Sequence, residues 1–212
     1  MKIIVLHGED TVKNYERLKK FVDEARRRGW EILYDDISTT PSLFGTDRLT
    51  VIRDYKLVNA KALKTVSKIP GTLVIYHEGA IPQTFIKTLP KETKIEEFKL
   101  PKLIWSFLEH LYPGNSDRAV KEFHQIIEKD PPEFVFSVIA KHFRNLYWAK
   151  MDPGTLGYPS WRISKLKSQS SKFSEEQLKK IIDLLAKTDV EVKTGKADLI
   201  LSLDLTILKQ LE

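Results

Sequence analysis

Lys2-Ile3-Ile4-Val5-Leu6-His7-Gly8-Glu9-Asp10-Thr11 is the stretch that decides how the first half of this chain is read. Lys2–Leu6 is a short apolar run of strand-forming residues opening directly from the N-terminus. Its apolar length falls short of a signal peptide, and charge returns at Glu9-Asp10. The turn after the strand is where an α/β domain carries its phosphate loop. Such a loop needs several glycines for close backbone approach, plus a Lys and a Ser or Thr for phosphate and Mg²⁺. Here a single Gly8 is followed by two carboxylates that repel a phosphate. The turn therefore argues against nucleotide hydrolysis, and no G-x-G-x-x-G occurs in the chain.

Outward from this strand, the same texture repeats. Glu31–Tyr34, Leu49–Arg53 and Leu73–Tyr76 read as strands, with a weaker one near Ile95–Phe98. Tyr15, Leu18, Phe21, Val22 and Ala25 recur at helical spacing, and Gly29 closes that helix. A second helix fits Ala60–Ile69 and a short third fits Pro82–Leu89. Strands separated by helices predict an α/β domain with a mainly parallel sheet and helices on both faces.

After Leu100-Pro101 the pattern becomes helix after helix. Leu103, Ile104, Phe107, Leu108 and Leu111 form one stripe, stopped by Pro113-Gly114. Val120, Phe123, Ile126 and Ile127 mark a second helix, Pro131-Pro132 opens a third to about Lys150, and Pro159 a fourth through Trp161, Leu166 and Gln169 to Phe173. Ser174-Glu175-Glu176-Gln177 is a capping box that starts a helix ending near Gly195, and a last helix runs from about Ala197 to Leu211. The expected organisation is an α/β domain over residues 1–99 and an all-helical domain over 100–212.

Composition narrows the class. At 212 residues the chain has room for a sizeable core, and 42% hydrophobic with 30% charged residues is ordinary for a globular protein. The apolar run around Phe134–Ala140 is far short of the roughly 18 residues a membrane span needs, so no membrane is expected. Cysteine is absent, which excludes disulfides, thiolate metal sites and cysteine nucleophiles and fits a cytoplasmic protein. A net charge of +6 makes nucleic acid or an acidic protein a plausible neighbour.

Catalytic signals are sparse. Glu9, Asp10, Asp35, Asp36 and Asp54 all follow strands, so they either meet at the carboxyl edge of the sheet, as in a receiver-like signalling module, or cap helices and stay solvated. His7, His77, His110, His124 and His142 show no ligand spacing, and no G-x-S-x-G elbow occurs. Neither a metal nor a cofactor is expected. Lys141, His142, Arg144 and Lys150 in one helix, and Arg162, Lys165, Lys167 and Lys172 in the next, either touch phosphates or form solvated faces. Asp189 with Lys193 one turn on reads as a structural ion pair on or near an apolar stripe. Ser42-Leu43-Phe44-Gly45 sets two bulky apolar side chains in a turn-forming stretch, either tucked under the sheet or offered to a partner.

Several of these residues, taken in order, carry a resemblance. Ser164-Lys165-Leu166 with Gln169, then Phe173-Ser174, Leu178, Leu185, Asp189, Lys193 and Gly195, resembles the C-terminal signature of the delta subunit of bacterial DNA polymerase III. Ile139–Leu146 resembles that family's apolar-basic-aromatic-Arg helix, Leu6–Asp10 its first strand and turn, and Ser42–Gly45 its clamp-contacting element. The resemblance implies a clamp-loader subunit that binds and opens the ring-shaped sliding clamp without hydrolysing ATP. Its first domain would be an ATPase-like module lacking its phosphate loop, and its last a helical collar joining other clamp-loader subunits. Leu43 and Phe44, flanked by Ser42 and Gly45, would be the wedge entering the clamp. Lys141, Arg144, Arg162 and Lys165 would contact primer-template DNA or neighbouring subunits. The family carries a helical lid between the two domains, whereas here Ile95–Phe98 runs almost straight into the helix at Leu103. Two other functions stand beside this one: the receiver-like module with a helical output half, and a stand-alone basic nucleic-acid-binding protein.

Overall fold

The computed structural model describes residues 2–36, 47–58, 63 and 71–212. They fall into two compact units, Met1–Leu100 and Pro101–Glu212. In the first, β1 (Lys2–Gly8), β2 (Glu31–Tyr34), β3 (Arg48–Ile52), β4 (Thr72–Glu78) and β5 (Lys94–Phe98) form one sheet in the order β2-β3-β4-β1-β5. Every pairing is parallel, with Ile4 of β1 opposite Val74 of β4 on one side and Lys94 of β5 on the other.

Side-chain alternation divides the core in two, as the period of a strand requires. Ile3, Val5, Ile52, Leu73 and Ile75 face one way and pack with Val58, Leu63 and Ile81. Ile4, Leu6, Leu49, Val51, Val74 and Tyr76 face the other and are covered by Leu18, Val22 and Ala25 of α1 (Thr11–Arg27). Each such buried aliphatic side chain contributes roughly 1.5–3 kcal/mol. The helix expected at Ala60–Ile69 lies almost wholly outside the described residues, although Leu63 is helical and buried. The one expected at Pro82–Leu89 is shorter, with α2 confined to Gln83–Ile86. Thr88 turns its hydroxyl back onto the Phe85 carbonyl, and its own N–H bonds the same oxygen, so the turn tightens before Pro90.

The second unit consists of α3 (Lys102–His110), α4 (Ser116–Ile127), α5 (Pro132–Met151), α6 (Ser160–Ser170), α7 (Glu175–Lys193) and α8 (Leu199–Leu211). α5 lies at its centre, packing against all five of the others. Its buried positions include Phe134, Val135, Val138, Ile139, Phe143 and Leu146, more than one stripe of the helix. Ser174 and Gln177 form the reciprocal capping box at the start of α7. Lys99, Leu100 and Pro101 alone separate β5 from α3, so no helical lid stands there.

Candidate functional site

Open parallel sheets place ligands outside the carboxyl ends of the strands, where the strand order reverses. That point here is the end of β1, between β4 and β5. It is closed by main chain. Gly8 N–H donates to the Gly79 carbonyl at 2.9 Å and Gly79 N–H to the Gly8 carbonyl at 2.8 Å, while Asp10 N–H reaches the Phe98 carbonyl at 3.1 Å. Gly8 has φ +142°, and a Cβ there would lie 2.1 Å from the Phe98 oxygen. The single glycine of the turn therefore serves close approach to the chain's own backbone, where a phosphate loop would approach a nucleotide.

Three acids of this edge, Asp10, Asp54 and Asp35, are engaged separately. Asp10 is buried; it caps α1 by accepting from Lys13 N–H, and its second oxygen pairs with Lys13 Nζ at 3.0 Å. Asp54 caps the 3₁₀ turn Tyr55–Leu57 through Lys56 N–H. Asp35 binds Arg53. Among the described residues, no group of three His, Cys, Asp or Glu side chains is placed to hold a metal ion. His7 is buried, accepts the Ile81 N–H at Nδ1, and is held below the usual histidine range by burial. Burial does the same for His77, whose ring meets Tyr55 edge-on. His7 is thus a core histidine and His77 a half-buried one. Asn14, fully buried, donates from Nδ2 to the His77 carbonyl and completes the packing of α1 on the edge.

The Ser42, Leu43, Phe44 and Gly45 element lies outside the described residues. Both of its flanks are described, and both are tied. On the β2 side, Asp35 adopts φ +54°, the only positive φ of a non-glycine among the described residues. Its N–H donates to the Val51 carbonyl, its Oδ1 accepts the Arg53 N–H at 2.7 Å, and its Oδ2 accepts Arg53 Nε at 3.1 Å. The Arg53 guanidinium also stacks over the Tyr34 ring. On the β3 side, Arg48 is buried and gives two hydrogen bonds, from Nε and Nη2, to Glu31 Oε2. Glu31 N–H in turn donates to the Asp47 carbonyl.

The basic residues of the helical unit do not form one array. Arg162 lies between the rings of Tyr158 at 4.0 Å and Trp105 at 5.2 Å, and burial lowers its guanidinium to about 10. Lys165 pairs with Glu109 at 2.8 Å, and Lys172 rests on the Tyr112 ring. Lys141 is half-buried on α5, while Arg144 is exposed. α6 carries no acid, and its Trp161 is 64% exposed. Trp161 is not part of the helix's apolar stripe. The stripe of Leu166 runs back through positions three and four earlier, Ile163 and Arg162, which leaves Trp161 on the outer face. That spacing was the available signal. Asp189, half-buried beside the apolar stripe, and Lys193, exposed, do pair, at 2.7 Å, and at that exposure the pair stabilises little.

The residues of the C-terminal signature hold the helical unit together. Gln169 donates to the carbonyls of Leu108 and Leu111, closing the end of α3. Phe173 is buried edge-on against Phe143, and Lys150 Nζ donates to its carbonyl. Leu166, Leu178 and Leu185 are buried, and Gly195 turns the chain at φ +70°.

Residues 153–210 match the family model of the DNA polymerase III delta subunit, C-terminal domain. The DNA polymerase III subunit delta of Bacillus subtilis (strain 168) is 27% identical over 124 residues, a match covering 53% of this chain and 36% of that protein. The chain thus aligns with about a third of that curated relative. Among solved structures, the Bacillus subtilis DNA clamp loader delta protein aligns at a TM-score of 0.39 and 18% identity, covering 100% of this chain and 95% of that one. A Drosophila ORC structure bound to AT-rich DNA and Cdc6 aligns at 0.28 and 10% identity, covering 99% of this chain and 66% of that one. The chain is similar to the delta subunit of bacterial DNA polymerase III in its C-terminal sequence.

Proposed function

We propose that the protein is a delta-like clamp-loader subunit of DNA polymerase III, working in the cytoplasm, that binds the sliding clamp and opens it without hydrolysing ATP. The observation that carries this reading is the match of residues 153–210 to the delta subunit's C-terminal domain. The backbone closure at Gly8 and Gly79, in the place where a nucleotide would sit, supports the absence of ATP chemistry.

In this reading Leu43 and Phe44 are the wedge. Burial of each in an apolar pocket contributes roughly 1.5–3 kcal/mol, so two such anchors dominate an interface. The ring opens because the bound surface fits the open clamp better than the closed one, since a ligand shifts an equilibrium only by differential affinity. The helical unit joins the other clamp-loader subunits. Primer-template DNA passes the basic faces of α5 and α6, where Lys141, Arg144, Arg162 and Lys165 lie.

The test is binding to the sliding clamp from the same source, wild type against the Leu43→Ala/Phe44→Ala double variant. The expected result is loss of binding with an unchanged circular dichroism spectrum and melting point. Undiminished binding by the double variant overturns the wedge. That α6 itself carries no acid also favours a second reading, a stand-alone nucleic-acid-binding protein. Tight DNA binding at moderate salt with no clamp affinity would select it.

A further inference from the structure

We infer that the outer face of α8 is a self-association surface: two copies of this chain pair through it, their α8 helices antiparallel and centred on Leu205. The inference is independent of the clamp-loader reading, since it needs neither the clamp nor another subunit.

Three observations carry it. The first is that α8 is apolar on two sides. Leu199, Leu203, Ile207 and Leu211 are buried, and the helix packs against α4, α5 and α7. Leu201, Leu205 and Leu208 lie on its outer side and are 59%, 43% and 40% exposed. A surface helix normally turns a polar face to water, so a second apolar stripe calls for a second cover. The spacing of that stripe is the second observation. Steps of four and three residues keep one seam facing a neighbouring helix, which is the repeat of a coiled-coil contact.

The third is self-complementarity. With Leu205 at a two-fold axis, Leu201 meets Leu208 of the second copy, and Leu208 meets its Leu201. The same arrangement brings Lys196 and Asp198, exposed at the start of α8, to Lys209 and Glu212, exposed at its end. Each charge then has an opposite one within reach, and the two helix dipoles oppose. A parallel pair would set every charge and both dipoles against their own copies. Three leucines are a small seam beside the roughly 800 Å² per partner of a standard interface, so the pairing is reversible and depends on concentration.

Analytical ultracentrifugation of the full chain tests it. The wild type should pass from monomer to dimer as its concentration rises from micromolar toward millimolar; a monomer throughout overturns the proposal. Leu205→Glu sets two carboxylates face to face at the axis and should weaken association by about a hundredfold, and Leu205→Lys should do the same with two ammonium groups. Both variants alter only the outer side of α8 and should keep the wild-type circular dichroism spectrum. Mixed in equal amounts they should dimerise again, which neither misfolding nor nonspecific stickiness would produce. A mixture that stays monomeric overturns the axis at Leu205. Cross-linking reads the orientation, since the chain has no cysteine of its own. Leu201→Cys mixed with Leu208→Cys should join under mild oxidation while neither joins itself; self-joining of each overturns the antiparallel pair. A chain that is monomeric alone and covers α8 only when another clamp-loader subunit is added also overturns self-pairing, and leaves the clamp-loader reading standing.

Discussion

His142 illustrates what burial does to a single side chain. It lies inside the helical unit at 7% exposure, with Nε2 lacking a hydrogen-bond partner, and desolvation holds its pKa down to about 4. The unfolded chain takes up its proton near 6.5, before the folded chain does. Stability from this group is therefore complete above pH 6.5 and falls as the pH drops toward 4, by up to roughly 3 kcal/mol. His7 and His77, also lowered by burial, act in the same direction. Urea midpoints should fall between pH 7 and pH 5, and His142→Leu should flatten much of that slope. An unchanged slope in the variant would mean that His142 is already protonated in the fold. Glu96 works in a lower window: hydrogen bonds from Arg17 hold it down to about 2, so its contribution is present above 4.5 and lost as pH falls toward 2. None of this was legible from five histidines without ligand spacing, because burial at a given position depends on partners far away in sequence.

Elements were the most legible level. The apolar strand runs Ile3–Leu6 and Leu73–Tyr76, the capping box at Ser174, and the proline starts of α5 and α6 depend on residues within one or two turns of each other. Connections that join distant residues were not legible. The strand order, the Gly8–Gly79 bridge and the seat of Arg162 between Trp105 and Tyr158 come from tertiary packing, which no local spacing encodes. Two glycines show the difference in energetic terms. Gly29, at φ +69°, has nothing within 4 Å of an added Cβ, so Gly29→Ala should destabilise by only about 1–2 kcal/mol, the intrinsic penalty of the left-handed region. Gly8→Ala adds a collision with backbone at Phe98 and should destabilise the α/β unit distinctly more. Chemical denaturation of the two variants checks this ranking, and equal losses would contradict the close approach.

For the molecule as a whole, Lys and Arg number 35 against 29 Asp and Glu, and many of the cations are already paired. Affinity for DNA in the absence of other subunits should accordingly be weak and steep in salt. If each of the four residues proposed above met a phosphate, the slope of log K against log salt would be about −3 for single strands. Trp161 fluorescence should be quenched as a base stacks on the exposed ring, and Trp161→Ala should remove that signal. A signal that persists in the variant would place the contact elsewhere.

The bridge between Gly8 and Gly79 has a final consequence for how such a protein is timed. A nucleotide entering there would first have to break two main-chain hydrogen bonds and leave those groups unsatisfied, at about 1–3 kcal/mol for each orphaned group. The crevice thus holds its own main chain as occupant. If the protein is the clamp-loader subunit proposed above, it has no loaded and empty states of its own to serve as a clock, and the moment of its action would be set by whichever neighbour covers or uncovers it.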